Sequence, residues 1–233
     1  MKLPKIMIFD VGDTLICGKW EDQLKGYIYL YEEVLDVKES VEDYLDFIKG
    51  MLPIIKERDK VSLEFNFRSF FNYLKDLYGL KTNKTFEEIE LAFSYKLFIP
   101  KLKSNIVELL EYLNNKGVIL NVVSNSMFSS SCLNSLLENL GIRKYFKYLI
   151  SSGDHLVRKP SEHLFNLYIK KYQMLGYKIS DICYIGNDFY YDIVTPAKLG
   201  MMSILISDKD IKHSDYLEVS SYVKLKNEFD KNE

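Results

Sequence analysis

Side chains that can act as nucleophiles or hold anionic oxygens follow the short apolar runs of this 233-residue sequence. Asp10 is the first residue after the run Ile6–Phe9, and Ser124 and Asn125 follow at the end of the run Val118–Val123. A carboxylate can attack an electrophilic centre, and hydroxyl and amide groups can donate hydrogen bonds to oxygen anions. Their repeated position at the end of an apolar run indicates that these runs support one common site.

A lysine and an acidic cluster add to this set. Lys159 precedes a predicted helix, and Asn187, Asp188 and Asp192 follow the apolar run Ile182–Ile185. Lysine supplies a compact positive charge, and carboxylate oxygens are ligands for a hard dication such as Mg²⁺. A carboxylate that faces a phosphate is repelled by it, so attack on phosphorus requires such cations nearby. The combination therefore suits phosphoryl transfer.

Residues 1–16 and 101–233 alternate apolar runs with amphipathic helical patterns. The runs are apolar at successive positions, which is typical of strands buried on both faces of a parallel sheet. The predicted strands are Ile6–Phe9, Val118–Val123, Tyr148–Ile150, Ile182–Ile185 and Ser203–Ile206, and the predicted helices are about Asn105–Lys116, Met127–Asn139, Ser161–Leu175 and Ile193–Leu199. This alternation predicts an α/β fold with a doubly wound parallel sheet, in which ligands bind outside the carboxyl ends of the strands.

Residues 17–100 show only helical patterns and no strand of that buried type. One predicted helix ends at Gly79, which suits a helix C-cap, and Thr85–Glu88 has the spacing of a capping box. We therefore predict an all-helical cap domain at 17–100, inserted into a core formed by 1–16 and 101–233. The alternative is one continuous domain that contains the same helices.

The carboxyl ends of parallel strands meet at one edge of a sheet, so the polar residues are expected to converge there. Asp10 would attack phosphorus and form an aspartyl phosphate. Lys159 would supply the ammonium, and Asp188 and Asp192 would hold a cation through oxygen. Ser124 and the amides that follow it would bind phosphoryl oxygens.

Four segments resemble, in order, the motifs of the haloacid dehalogenase (HAD) superfamily. They are Phe9–Leu15 (FDVGDTL), Val122–Asn125 (VVSN), Arg158–Pro160 (RKP) and Ile185–Asp192 (IGNDFYYD). The helical segment between the first and second motifs is similar to that of the group containing phosphoglycolate phosphatase, β-phosphoglucomutase and 2-haloacid dehalogenase.

The resemblance implies a Rossmann-like core, a mobile cap, an Asp nucleophile and, in most members, Mg²⁺. Phosphate contacts are implied for Ser124, Asn125 and Lys159, and metal contacts for Asp10, the Gly12 carbonyl, Asn187, Asp188 and Asp192. We therefore predict a Mg²⁺-dependent phosphatase that acts on a small phosphorylated metabolite, with Asp10 and Lys159 as catalytic residues. The cap is expected to hinge near Cys17–Gly18 and Phe98–Leu102.

Two positions depart from the family pattern. Gly12 stands where phosphatases of this group usually have the Asp that protonates the leaving group. Asn187 stands where the family usually has a metal-binding Asp, and Asp188 is the neighbour that could replace it. Asp13 is the possible substitute acid and base for the group missing at Gly12.

These departures leave two other interpretations open. A 2-haloacid dehalogenase also lacks the second Asp and needs no metal, but it requires a cap-side arginine for halide, here Arg58 or Arg68. A catalytically weakened HAD domain would bind a phosphorylated ligand or a protein without turnover. Phosphatase is the preferred interpretation of the three.

Composition limits the classes of partner. The formal net charge is −2 and the isoelectric point is near 6.0, so no overall charge favours nucleic acid or a membrane surface. Three cysteines without a C-x-x-C spacing suit a reducing compartment. The first apolar run is too short for a signal peptide or a membrane helix, so we expect a cytoplasmic location. The expected oligomeric state is a monomer or a homodimer.

Overall fold

The computed structural model describes residues 2–231, except the side chains of residues 54–56, 58 and 59. The strands are β1 (Ile6–Phe9), β2 (Ile16–Trp20), β3 (Phe98–Leu102), β4 (Ile119–Ser124), β5 (Phe146–Ser151), β6 (Ile182–Gly186), β7 (Met202–Ile206), β8 (Ile211–Lys212) and β9 (Leu217–Val219). The α-helices are α1 (Leu24–Tyr29), α2 (Val41–Lys56), α3 (Arg58–Val61), α4 (Phe67–Tyr78), α5 (Phe86–Leu97), α6 (Ile106–Asn115), α7 (Ser130–Asn139), α8 (Glu162–Met174), α9 (Thr195–Lys198) and α10 (Tyr222–Asp230). π-Helical turns span Leu30–Val34 and Phe189–Val194, and single 3₁₀ turns precede or follow β5 and β6.

The main sheet has the strand order β5-β4-β1-β6-β7-β9-β8, and its strands are parallel except β8, which is antiparallel to β9. All five predicted strands lie in this sheet, so the predicted α/β fold is confirmed. The chain proceeds outward from β1 through β4 to β5, and then returns to the other side of β1 for β6 and β7. The two directions diverge between β1 and β6, which is where ligands bind in doubly wound sheets.

Strand β1 shows why its sequence is apolar at every position. All four of its side chains are fully buried. Met7 and Phe9 pack on one face of the sheet with α6, α7 and α10, whereas Ile6 and Ile8 pack on the other face with α8. Successive side chains point to opposite faces, so a strand covered on both sides needs an unbroken apolar run.

The helices α1, α2, α4 and α5 pack around an aromatic core of their own, in which Tyr27, Phe67, Phe70 and Phe93 are buried. Helix α5 starts with the predicted capping box, because Thr85 accepts a hydrogen bond from the Glu88 amide and Glu88 accepts from the Thr85 amide. None of the described helices is both long and apolar enough to cross a membrane.

An antiparallel ribbon of β2 and β3 links these helices to the main sheet. Only helices were predicted between residues 17 and 100, so this ribbon differs from the expected all-helical segment. Neither strand has the apolar run of a strand buried on both faces, because Gly18, Lys19 and Trp20 are exposed in β2 and Ile99 and Lys101 are exposed in β3. Residue 18 must be glycine because the two strands approach closely there, and a Cβ at this position would lie 2.1 Å from the Ile99 carbonyl oxygen. The two hinge segments predicted earlier, Cys17–Gly18 and Phe98–Leu102, lie in this ribbon.

Candidate active site

The structure brings the predicted polar residues to the divergence point of the sheet. Asp10 follows β1, Asn187 and Asp188 follow β6, and Ser124 is the last residue of β4. The amide of Asp10 donates to the Ile185 carbonyl of the neighbouring strand, which fixes its backbone at the strand end. Parallel pairing therefore places these loops side by side.

Lys159 lies at the centre of the site. Its Nζ is 2.7 Å from Asp10 Oδ1, 2.6 Å from Asp192 Oδ1 and 2.9 Å from the Tyr184 hydroxyl oxygen. All four side chains are buried. An ammonium has three hydrogens to donate, so these three contacts use its full capacity. Tyr184 was not predicted as a site residue, because it lies inside an apolar run and has the pattern of a core aromatic.

Burial and charge act in opposite directions on this cluster. Burial raises the pKa of Asp10 to about 6, although the neighbouring Lys159 ammonium opposes the rise. Burial also works against the charged form of Lys159, but the carboxylates of Asp10 and Asp192 outweigh it and hold the lysine pKa well above its usual value. At neutral pH, Lys159 is thus charged and Asp10 is mostly ionised, as a nucleophile must be.

Asn125 holds the backbone of Lys159. Its Oδ1 accepts from the Lys159 amide at 2.7 Å, and its Nδ2 donates to the Lys159 carbonyl at 3.0 Å. Both ends of the side-chain amide are therefore used to position the lysine. The expected phosphate contact from Asn125 would have to share this amide.

The two aspartates predicted as metal ligands already have hydrogen-bond partners. Asp192 Oδ2 accepts from the amides of Asn187 and Asp188 at 3.1 and 3.0 Å, while its Oδ1 accepts from Lys159. Asp188 Oδ1 accepts from the Tyr191 amide at 2.9 Å and caps the π-helical turn. Asp192 therefore organises the loop and the lysine, and Asp188 organises the turn.

Thr14 connects Asp10 to Asn187. Its Oγ1 is buried and lies 3.3 Å from Asp10 Oδ2 and 3.3 Å from Asn187 Oδ1. Its carbonyl accepts a short hydrogen bond from the Tyr222 hydroxyl, which ties the loop to α10. Thr14 lies within the first motif, but no role was predicted for it from the sequence. Its position four residues after Asp10 is the only signal that pointed to one.

The oxygen atoms around Thr14 are the right kind for Mg²⁺. Asp10 Oδ2 and Asn187 Oδ1 both lie 3.3 Å from Thr14 Oγ1 and are hard donors. The Gly12 carbonyl is the third donor that the family resemblance implies, and Mg²⁺ is commonly bound by one or two carboxylates together with substrate phosphate. Among the described residues, no group of three His, Cys, Asp or Glu side chains is arranged to hold a metal ion. The donor set thus fits Mg²⁺, with a single carboxylate as its anionic ligand.

Gly12 and Asp13 are both exposed in the loop after Asp10. Gly12 has open space around it, since a Cβ there would meet no atom within 4 Å. Asp13 is exposed and adopts φ 52°, a left-handed conformation that aspartate tolerates better than most residues. Both residues line the large cavity beside the site.

This cavity has a volume of about 810 Å³ and lies between the helical segment and the main sheet. At one end it reaches Gly12, Asp13, Ser124 and Asn125. Its walls are mostly apolar and come from both parts of the chain: Ile16, Trp20, Tyr27, Leu52, Leu97, Phe98, Met127, Phe128, Leu133 and Leu136. A molecule bound there would contact the helical segment and the strand ends together.

The two arginines considered for halide binding differ in what the structure describes. Arg68 is half-exposed, pairs with Glu87 at 2.8 Å and stacks on the Phe86 ring at 3.9 Å, and it does not line the cavity. The side chain of Arg58 lies outside the described residues.

With the motifs, fold and site in place, the family follows from comparison. Residues 8–206 match the family model of haloacid dehalogenase-like hydrolases, so the chain belongs to that family. The predicted superfamily is thereby confirmed, and the protein is a HAD-like hydrolase. A comparison of the sequence with curated proteins found no match.

Solved structures agree on the fold. A HAD phosphatase from Thermococcus onnurineus is similar with a TM-score of 0.60 and 19% identity, covering 97% of each chain. A 2-haloacid dehalogenase from Pseudomonas syringae has a TM-score of 0.59 and 16% identity, covering 98% of this chain and 99% of its own. A putative HAD-hydrolase from Bacillus subtilis, bound to magnesium, has a TM-score of 0.56 and 20% identity, with 98% and 99% covered.

Proposed function

We propose that the protein is a Mg²⁺-dependent phosphatase that hydrolyses a small phosphorylated molecule through an aspartyl phosphate on Asp10. The contact of 2.7 Å between Asp10 and the Lys159 ammonium carries this proposal. It keeps a buried carboxylate ionised and reduces its repulsion of an incoming phosphate.

The residues of the site suit two successive displacements at phosphorus. An oxygen of Asp10 forms a bond to phosphorus as the bond to the leaving group breaks, and the leaving oxygen then takes a proton. Water next attacks the aspartyl phosphate, releases inorganic phosphate and restores the carboxylate. Ser124, at the end of β4, and the amides after it would hold phosphoryl oxygens. Held by Asp10, the Gly12 carbonyl and Asn187, Mg²⁺ would offset the charge of the phosphoryl group.

We also propose that residues 17–100 serve as a cap over the site. The cavity supports this, because its lining includes both Tyr27 of α1 and Ser124 of β4. We further propose a cytoplasmic location. Its support is that Cys17, Cys132 and Cys183 are free thiols, which suits a reducing compartment.

Replacing Asp10 with Asn tests the proposed nucleophile. Asp10→Asn keeps the shape of the side chain but removes its nucleophilicity, so phosphate release from a panel of phosphate monoesters should fall to background. The control is Asp76→Asn, a matched change at an exposed position of α4. Unchanged far-ultraviolet circular dichroism would show that the fold survives. Normal phosphate release by Asp10→Asn would refute the covalent mechanism.

The dehalogenase alternative is less well supported by the cavity. A haloacid carries a carboxylate, and Arg68 is paired with Glu87 away from the lining. Halide release from 2-haloacids in excess chelator would favour that alternative. Binding of phosphate esters without release of phosphate or halide would favour the catalytically weakened domain. Gly12 and Asn187 are the departures from the family pattern that suggest this alternative.

A further inference from the structure

The large cavity restricts what can be attached to the phosphate. Resting on the proposed phosphatase function, we propose that the substrate is a phosphate monoester of an apolar alcohol or phenol whose leaving group carries no negative charge.

The phosphoryl end of the cavity is defined by the strand ends. Ser124, Asn125 and the Gly12–Asp13 loop line that end, next to Asp10. A phosphate placed there directs its ester oxygen toward the rest of the cavity. The leaving group must then occupy the space between the helical segment and α7.

That space has apolar walls on both sides. Tyr27 and Leu97 line it from the helical segment. Leu133 and Leu136 line it from α7, and Phe128 lines it from the loop before α7. Tyr27, Leu133 and Leu136 are buried, so these walls are part of the packed interior. Contact with such walls favours apolar groups because it removes apolar surface from water.

The charged groups around the cavity are acidic. Asp13, Glu21 and Asp22 line it, and the described lining contains no Lys, Arg or His. Glu21 is paired with Lys19 at 2.5 Å and with Lys25, and these hydrogen bonds hold its pKa at about 2. Asp22 accepts from the Leu24 amide at 3.0 Å at the start of α1. Asp13 and Asp22 thus oppose an additional anion, whereas the charge of Glu21 is offset by the two lysines that pair with it.

The buried ammonium of the site has no spare donor for a second anion. Lys159 donates to Asp10, Asp192 and Tyr184, so a carboxylate or second phosphate on the leaving group would find no described cation in the cavity. Burying an unpaired charge is strongly unfavourable. Sugar acids and bisphosphorylated molecules are therefore expected to be poor substrates.

Two aryl phosphates matched in leaving-group pKa provide the first test. Because 3-propylphenyl phosphate is neutral in its leaving group whereas 3-(2-carboxyethyl)phenyl phosphate carries a carboxylate, they differ mainly in charge. We expect the carboxylate compound to have a kcat/KM at least about tenfold lower, mostly through KM, since the loss is one of binding. Equal kcat/KM values, or a preference for the carboxylate, would overturn the inference.

A positive charge added to the lining should weaken this selection against the carboxylate compound. Gln23 is exposed and lines the cavity, so Gln23→Lys places an ammonium there. The variant should narrow the difference between the two aryl phosphates severalfold. The matched control is Gln173→Lys on the exposed surface of α8, which should leave the ratio unchanged. An equal change in both variants would show that the effect is not local to the cavity.

Binding of the two corresponding non-hydrolysable arylmethylphosphonates, measured by calorimetry, separates the two proposals. If the neutral phosphonate binds more tightly but neither ester is hydrolysed, the phosphatase proposal fails and the inference about the cavity stands. If both esters are hydrolysed equally well and both phosphonates bind equally, the inference fails and the phosphatase proposal stands. Absence of both binding and hydrolysis refutes both.

Discussion

The hydroxyl oxygen of Tyr184 lies 2.9 Å from Lys159 Nζ and 3.1 Å from the Val123 carbonyl oxygen. A tyrosine has one hydroxyl hydrogen, and the carbonyl can only accept, so Tyr184 donates to Val123 and accepts from the lysine. The phenol thus connects β4 and β6 and holds the ammonium in line with Asp10. Tyr184 is a positioning residue, because it reaches the reacting carboxylate only through Lys159.

Removing this hydroxyl should affect both catalysis and stability. In Tyr184→Phe, the buried Lys159 ammonium and the Val123 carbonyl each lose a partner, so the free energy of unfolding should fall by about 1.5–3 kcal/mol. We expect kcat to fall by about tenfold while KM changes little, because the lysine is less well placed to neutralise Asp10. Denaturant unfolding and steady-state kinetics measure the two effects.

Tyr168 offers a matched control for this variant. It is also a buried tyrosine, and its hydroxyl donates to the Val122 carbonyl of the same strand at 3.1 Å, but it makes no contact with Lys159. Tyr168→Phe should lower stability and leave kcat near the wild-type value. Equal kcat losses in the two variants would mean that Tyr184 acts only through packing of the sheet.

The raised pKa of Asp10 predicts a pH dependence of stability. Its folded-state pKa is about 6 against an ordinary value of 3.8, so the folded state binds more protons than the unfolded state between these values. The contribution of Asp10 to stability is therefore highest below about pH 4 and is lost as the pH rises through 6. The difference in unfolding free energy between wild type and Asp10→Asn should fall over that window, by at most about 3 kcal/mol. A constant difference from pH 4 to pH 7 would contradict this.

Metal dependence should respond to residue 187. Asn187 Oδ1 shares Thr14 with Asp10, whereas Asp188 Oδ1 is held by the Tyr191 amide. We therefore propose Asn187 as the ligand, although both residues were predicted as ligands and Asp188 was the neighbour that could replace the missing Asp. Asn187→Asp should lower the Mg²⁺ concentration for half-maximal activity about tenfold, because a charged oxygen binds a hard dication better than an amide.

Asp188→Asn provides the comparison for that prediction. Its amide oxygen can still accept from Tyr191, so the π-helical turn keeps its cap. If Asp188→Asn weakens the Mg²⁺ response and Asn187→Asp does not change it, Asp188 is the ligand, as first expected.

The main sheet could be predicted from sequence because strands that are buried on both faces have apolar residues at successive positions. Strands β1 and β6 are apolar at every predicted position, and Asp10 and Asn187 mark their ends. The edge strand β8 has no such apolar run, because both of its residues are exposed. Motif spacing identified Lys159, but its third partner, Tyr184, depends on a side chain crossing between elements. That contact, like the charge of the cavity lining, exists only after folding brings distant segments together.

Buried hydrogen bonds outside the ribbon also join the helical segment to the core. Glu90 of α5 is buried, and it accepts from the Ser129 amide at 2.8 Å and from the Ser129 hydroxyl at 2.5 Å. Glu64 accepts from the Ser152 hydroxyl at 2.6 Å. A cap that moves on the ribbon, as the sequence analysis expects, must therefore break these buried contacts.

Glu90→Ala should loosen the cap. Loss of the carboxylate leaves the Ser129 amide without its acceptor, at a cost of about 1–3 kcal/mol. We expect faster proteolysis within the ribbon segments 16–20 and 98–102, and weaker protection of them by bound ligand. The control is Glu87→Ala, which removes an exposed carboxylate of the same helix. Identical cutting patterns in wild type and Glu90→Ala, with and without ligand, would show that these contacts do not control cap movement.

Gly12 predicts a steep dependence of rate on the leaving group. General acid catalysis contributes about a hundred- to ten-thousandfold, and without a carboxylate at residue 12 an alkoxide departs unaided. Aryl and acyl phosphates, whose leaving groups are weak bases, should be hydrolysed much faster than alkyl phosphates. Gly12→Asp should flatten this dependence, since the new side chain meets no atom within 4 Å of its Cβ and Gly12 does not need a left-handed conformation.

Asp13 is the rival acid, and Asp13→Asn is the control because Asn tolerates the φ of 52°. Rates for matched aryl and alkyl phosphates on the three proteins decide between them. If wild type hydrolyses both classes equally well and Asp13→Asn loses only the alkyl activity, Asp13 is the acid and Gly12 does not limit the reaction.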